Sequence, residues 1–155
     1  MTIQAKIKPF LWFDSQAEEA ANYYVAAFKH SSITHVQRQD SGAVIVVEFN
    51  LCGQDYVALN GGPHFKLNEA FSLMVTAANQ AEVDHLWTYL LADGGTPSRC
   101  GWLKDKFGLS WQIVPERFFE LMKAPDKAGC GRVFQAMTWM TKFDIAALER
   151  AYSGL

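Results

Sequence analysis

The sequence is short of cysteine, of basic charge and of long apolar runs, and each shortage removes a class of function. Its 155 residues include three cysteines, Cys52, Cys100 and Cys130. Their odd number and wide spacing, with no CxxC pair and no adjacent histidine, argue against a zinc site and leave reduced, mostly structural thiols. Fourteen Lys and Arg against sixteen Asp and Glu give a formal net charge of −2. No basic footprint is therefore available to neutralise phosphates, and no nucleic-acid partner is expected. Apolar stretches such as Val44 to Val47 are far too short to cross a bilayer, and the start Met1-Thr2-Ile3-Gln4-Ala5-Lys6 lacks the apolar region of a signal peptide. A soluble, cytoplasmic protein with no membrane partner is expected. There is also no P-loop, no G-x-S-x-G elbow, no HExxH and no cysteine with a readable base.

What is present is apolar substance: half of the residues are hydrophobic, enough for one well-buried core, and residues 1–155 read as a single domain. Ile7 to Phe13 reads as an opening strand that Pro9 places at an edge or near the strand start. A helix follows, with Ser15 and Glu18 as a capping box and Ala17, Ala20, Ala21, Tyr24 and Phe28 on one face. Ser32 to Gln39, Ala43 to Leu51 and Asp55 to Asn60 are β-rich runs parted by the turn sequences Asp40-Ser41-Gly42 and Cys52-Gly53-Gln54.

After the loop Gly61 to Asn68 the pattern restarts. Ala70 to Thr76 is again a strand, and Asn79 with Glu82 caps a helix bearing Val83, Leu86, Trp87, Leu90 and Leu91 on one face, ended by Gly94-Gly95. Ser15-Gln16-Ala17-Glu18 and Asn79-Gln80-Ala81-Glu82 hold the same place in both halves, which points to an internal duplication. Its spacing exceeds the about 20–50 residues of solenoid repeats, so the halves read as two βαβββ modules, 7–60 and 70–115. Residues 116–155 form a helical tail: Pro115-Glu116 starts a helix to about Lys123, Val133 to Met140 is helical, and Asp144 caps a last helix carrying Ile145, Leu148 and Tyr152. The fold class is α+β.

The stretch Gly101 to Pro115 organises the second half. Gly101 to Lys104 and Leu109 to Val114 form a hairpin around Asp105-Lys106-Phe107-Gly108. In the second strand Leu109, Trp111 and Ile113 make the apolar side, while Ser110, Gln112 and Val114 face the other way. Gln112 thus either faces a ligand or only ties down strand backbone, and the residues alone leave both readings open.

Pro9-Phe10-Leu11-Trp12-Phe13-Asp14, Ala58-Leu59-Asn60-Gly61-Gly62-Pro63, Gly101-Trp102-Leu103-Lys104-Asp105 and Gly108 to Pro115 together resemble the PhnB-like family, labelled 3-demethylubiquinone-9 3-methyltransferase. That family sits in the glyoxalase/bleomycin-resistance, or vicinal oxygen chelate, superfamily. The resemblance spans nearly the whole chain, including the tail from Arg132 to Ala151. It implies paired βαβββ modules forming a cup-shaped mixed sheet, with C-terminal helices, and a homodimer.

Metal-dependent members of the superfamily hold a divalent ion with His, Gln or Glu from the first and last strands of a cup, and the ion stabilises an enolate-like intermediate. Here Gln112 stands where the last strand's glutamate is usual. The windows Ile7 to Pro9, Val57 to Asn60 and Ala70 to Ser72 contain no His, Asp or Glu, and one amide does not hold a catalytic cation. No metal and no cofactor are expected. His64 and Glu69 lie just outside the fifth-strand window, and His85 falls among polar helix positions. Gly61-Gly62-Pro63 does not lead into a helix, so it lacks the form of a nucleotide-type cofactor turn.

Three readings follow. The first is a metal-independent protein that binds an unidentified small molecule, with Trp12, Trp102, Tyr56 and Phe65 as stacking surface and Asn60, Ser110 and Gln112 as orienting groups. Each has a plain alternative: the tryptophans as core, Asn60 as a turn residue. Ser110 and Gln112 are the better candidates, since polar residues on a closed strand face lose hydration unless paired. The second is an enzyme, of lyase, isomerase, dioxygenase or methyltransferase type, with Glu69 or His64 as base. The third is a structural or regulatory dimer whose cup is filled by Phe10, Trp12 and Met74.

Overall fold

A computed structural model describes residues 6–155, so the leader reading of Met1 to Ala5 lies outside the described residues. The chain divides between Leu67 and Asn68 into two compact units. In the first, β1 (Phe10–Phe13) leads into α1 (Ala17–Ala27), followed by β2 (Ser32–Arg38), β3 (Val44–Leu51) and β4 (Gln54–Asn60). The strands form one sheet in the order β1-β4-β3-β2. β1 and β4 are parallel, and β2, β3 and β4 form an antiparallel meander. Pro9 precedes the edge strand, where a missing N–H breaks no ladder bond, and its carbonyl accepts from the Val57 N–H at 3.0 Å. Cys52 and Gly53, at φ 50° and 91°, make the two-residue turn that matches strand twist.

Period two sorts this sheet. Leu11, Phe13, Val47, Phe49, Tyr56 and Ala58 share one face and are buried, with Ala17, Ala20, Ala21 and Tyr24 of α1 buried against them. The expected Ser15 and Glu18 capping box is not formed. The helix begins at Ala17 with Gln16 as its cap residue and no side-chain bond from it. The first free amide is instead met from β4: the Asn60 side-chain oxygen accepts the Ala17 N–H at 2.8 Å. Glu18 pairs with Arg38. A partner distant in sequence has replaced the local one, which local spacing does not reveal.

In the second unit β5 (Ser72–Ala77), α2 (Gln80–Leu91), β6 (Thr96–Pro97), β7 (Trp102–Lys104) and β8 (Ser110–Pro115) make a sheet in the order β5-β8-β7-β6. This is the first sheet's order with every strand number advanced by four, so the duplication read from the sequence is present in the topology. α2 does carry its own cap: Asn79 accepts the Glu82 N–H at 3.0 Å, and the Glu82 carboxylate reaches back to the Ala78 N–H at 2.6 Å. β6 was not foreseen, because two residues are too few for a period to show.

Helices α3 (Glu116–Lys123), α4 (Lys127–Thr138) and α5 (Ile145–Ser153) complete this unit, giving the α+β class with C-terminal helices. α4 begins well before the expected Val133, with Asp126 accepting the Ala128 N–H at 3.0 Å. A Cβ on its Gly129 would lie 2.6 Å from the Asp126 carboxylate and 2.8 Å from the Tyr152 ring. Close packing fixes that glycine. Asp144 caps α5 as expected, accepting the Ala147 N–H at 2.9 Å. Among the described residues no helix is long and apolar enough to cross a membrane.

Candidate functional site

The β7–β8 hairpin fixes which side chains share a face. Lys104 pairs with Ser110, Leu103 with Trp111 and Trp102 with Gln112. Leu103, Trp111 and Ile113 are buried on the face that carries α2. Trp102, Lys104, Ser110 and Gln112 stand on the other. Holding this register is Asp105, a buried acid in the turn. One of its carboxylate oxygens accepts the Phe107 and Leu109 N–H groups at 2.8 and 3.1 Å, and the other accepts the Trp111 indole N–H at 2.8 Å.

Across the face turned away from α2, the pairings Ser72 with Ser110, Ser110 with Lys104 and Lys104 with Thr96 place four polar side chains in one row over all four strands. Gln112 stands one row on, between Met74 and Trp102. Its amide nitrogen donates to the Ser72 hydroxyl at 2.9 Å. Beside the row lies a cavity of about 220 Å³ lined by Glu69, Thr96, Ser98, Trp102, Lys104 and Ser110, among others.

Ser110 is 1% exposed, and its hydroxyl has no hydrogen-bond partner. Burying a hydroxyl without a partner costs free energy, and such groups are rare in folded proteins. Lys104 forms an ion pair with Glu69. The hydrogen bond from Lys104 is the main cause that holds the Glu69 carboxyl below the usual carboxylate range; a backbone hydrogen bond and the Lys104 charge add to it.

The first unit treats its expected site residues differently. Trp12 is half-buried on the face away from α1, with Phe65 edge-to-face at 5.0 Å. Its indole N–H is used on the Gly62 carbonyl at 2.9 Å, and a Cβ on Gly61 would come within 2.4 Å of the ring. Tyr56 and Asn60 share the opposite face. Tyr56 is buried and stacks on Phe49 at 5.3 Å, and burial, with a smaller push from Cys52, raises its phenol pKa. The Asn60 amide is committed at both ends, accepting from Ala17 and donating to the Val44 carbonyl at 3.1 Å. Strand parity therefore separates Tyr56 and Asn60 from Trp12, and the Asn60 amide is held at both ends.

The donors present do not fit a divalent cation. Gln112 has Met74 and Trp102 as cross-strand neighbours, with its amide nitrogen on Ser72. Among the described residues no three His, Cys, Asp or Glu side chains gather into a group that could hold a metal ion. His64 is exposed in its loop, and His85 is exposed on α2.

The family model described as 3-demethylubiquinone-9 3-methyltransferase matches residues 5–114. The chain belongs to this family. Among solved structures, the PhnB protein from Bacillus cereus is 33% identical, with a TM-score of 0.67, and the match covers 72% of this chain and 99% of that one. Protein PA1353 from Pseudomonas aeruginosa is 17% identical at a TM-score of 0.61, covering 73% and 98%, which is a likeness of fold. No curated protein matches the sequence. The match to the 3-demethylubiquinone-9 3-methyltransferase family ends within β8, so α3, α4 and α5 lie beyond it.

The sequence reading missed Lys104, Thr96 and Ser98 as cavity residues. Lys104 had a signal: in the observed register it faces the same way as Ser110. That signal depended on where the hairpin loop ends. A four-residue loop would have paired Lys104 with Leu109 and turned it to the apolar face.

Proposed function

We propose that the protein is a metal-independent small-molecule binding protein, and that it binds through the face of the second unit's sheet that turns away from α2. The observation that carries this reading is the buried Ser110 hydroxyl without a partner at the wall of a cavity. Gln112 and Ser72, linked to each other, and the half-buried Trp102 add polar groups and a ring beside it. Met74 is 53% exposed, so it does not fill the space before Gln112. This favours binding over the filled, purely structural face.

An enzymatic role would need a base. Glu69 is paired with Lys104 and held ionised at a lowered pKa, which weakens it as a proton acceptor near neutral pH. The methyl transfer in the family's description would call for a cofactor site, and Gly61-Gly62-Pro63 leads from β4 into coil, with no helix start to present backbone N–H groups. The protein is taken to work in the cytoplasm as a homodimer. Three unpaired thiols support a reducing compartment, and Trp139, 84% exposed at the end of α4, supports an apolar contact with a second copy.

The test is a screen of small organic fragments by NMR on the labelled protein, run beside elemental analysis and calorimetry with nickel, zinc, manganese and iron(II). Hits should shift the amides of Trp102, Lys104, Ser110 and Gln112 and weaken in Gln112→Ala, with no ion bound stoichiometrically. Hits confined to other surfaces, or stoichiometric metal binding abolished by Gln112→Ala, would overturn the reading.

A further inference from the structure

The row Ser72, Ser110, Lys104 and Thr96 carries more information than the presence of a site, because it also fixes the charge of what fits there. Lys104 and Ser110 are directly opposed on antiparallel strands, which sets their Cβ atoms about 4.5–5.5 Å apart. An ammonium group and a hydroxyl so placed can converge on the two oxygens of one carboxylate. Lys104 already holds a carboxylate, that of Glu69. Glu69 precedes β5, and its side chain is 66% exposed. An ion pair this exposed contributes little, so exchanging Glu69 for another carboxylate costs little. Ser110 is where the exchange gains. The Ser110 hydroxyl is unpartnered and closed to solvent while Glu69 holds Lys104, so an incoming carboxylate that displaces Glu69 and reaches it satisfies a group the fold leaves unsatisfied.

We propose that the second unit binds small organic monocarboxylates, with Lys104 and Ser110 sharing the carboxylate and Trp102 flanking the organic part, and that Glu69 is a built-in competitor occupying Lys104 until the ligand arrives. This rests on the reading of that face as a small-molecule site. The cavity of about 220 Å³ is below the about 300–1,000 Å³ of sites for drug-sized ligands, which limits the occupant to a small acid or to the acid end of a larger molecule. Thr96 and Ser98, exposed at the rim, suit an acid that also carries a hydroxyl or carbonyl.

The experiment titrates benzoate, phenylacetate and lactate, with benzamide and benzyl alcohol as uncharged counterparts, into the labelled full chain by NMR. The acids should shift Lys104, Ser110 and Trp102 more strongly than the uncharged compounds. Lys104→Met should weaken the acids about tenfold or more, the scale of a lost charge-assisted hydrogen bond. Ser110→Ala should weaken them about threefold to tenfold. The distinguishing variant is Glu69→Gln: removing the competitor should tighten the acids about twofold to fivefold, the scale of an exposed pair. A residue that only supported the fold would weaken binding or leave it unchanged. If the uncharged compounds bind this face as well as the acids do and Lys104→Met changes neither, the carboxylate assignment falls while the small-molecule reading stands. If none of the five compounds perturbs this face, both fall.

Discussion

The Trp111 indole donates its N–H to the Asp105 carboxylate at 2.8 Å, and both side chains are buried. With the two backbone donors on the other oxygen, a single acid closes the loop of residues 105–109 and ties it to β8. Asp105→Ala leaves three donors without their acceptor, and at about 1–3 kcal/mol for each it should cost about 3 kcal/mol or more of stability. Asp105→Asn keeps one acceptor and should cost less. Urea unfolding followed by tryptophan fluorescence measures both, and a loss under about 1 kcal/mol, the scale of one ordinary hydrogen bond, would show that the loop is held by something else.

Asn60 should behave as part of the fold and not as part of a site. Its amide caps α1 from β4 and also holds the Val44 carbonyl. Asn60→Ala should cost about 1–2 kcal/mol, the range for a lost helix cap, and leave the affinity for small molecules unchanged. Thermal unfolding and a ligand titration on the same variant check this. Affinity lost with full stability would return Asn60 to the site.

How much of this could be read from the sequence depended on the range of the interaction. The order of the helices and of every strand but β6, both turns of the first meander, the Asn79 and Asp144 caps and the alternation of β8 all rest on neighbours a few residues apart, and all are seen. The start of α1 was read wrongly because the residue that meets its first amide, Asn60, arrives from the other end of the module. Trp12, Tyr56 and Asn60 stand together as candidate ligand-facing residues in the sequence, whereas parallel pairing of Trp12 with Leu59 puts Trp12 on one face and Tyr56 and Asn60 on the other. Lys104 was overlooked for a similar reason. One residue of loop length decides whether it faces Ser110 or the core, and it is Asp105, an unremarked acid in a turn sequence, that settles the loop.

The pairing of Glu69 with Lys104 gives a pH signature. The folded-state carboxyl titrates below its ordinary range, chiefly through the Lys104 hydrogen bond. The pair is therefore complete above the pKa of a free glutamate and is lost as pH falls through the lowered folded value. The Glu69 carboxylate is exposed, so the effect on overall stability is small. A side-chain NMR titration should show the Glu69 midpoint lowered in the wild type and raised toward the ordinary range in Lys104→Met, where only the backbone hydrogen bond still lowers it. A midpoint that the substitution does not move would contradict the pairing and, with it, the role of Glu69 as competitor.

The central claim is that the fold leaves the Ser110 hydroxyl unpaired for a ligand to meet, and unfolding of Ser110→Ala in the absence of any ligand tests it most directly. Removing a buried hydroxyl that has no partner should raise the unfolding free energy, by up to about 1 kcal/mol, because its desolvation cost disappears. A fall of about 1 kcal/mol or more, the signature of a satisfied internal hydrogen bond, would show that Ser110 serves the fold itself and would contradict the assignment of this face as a binding site.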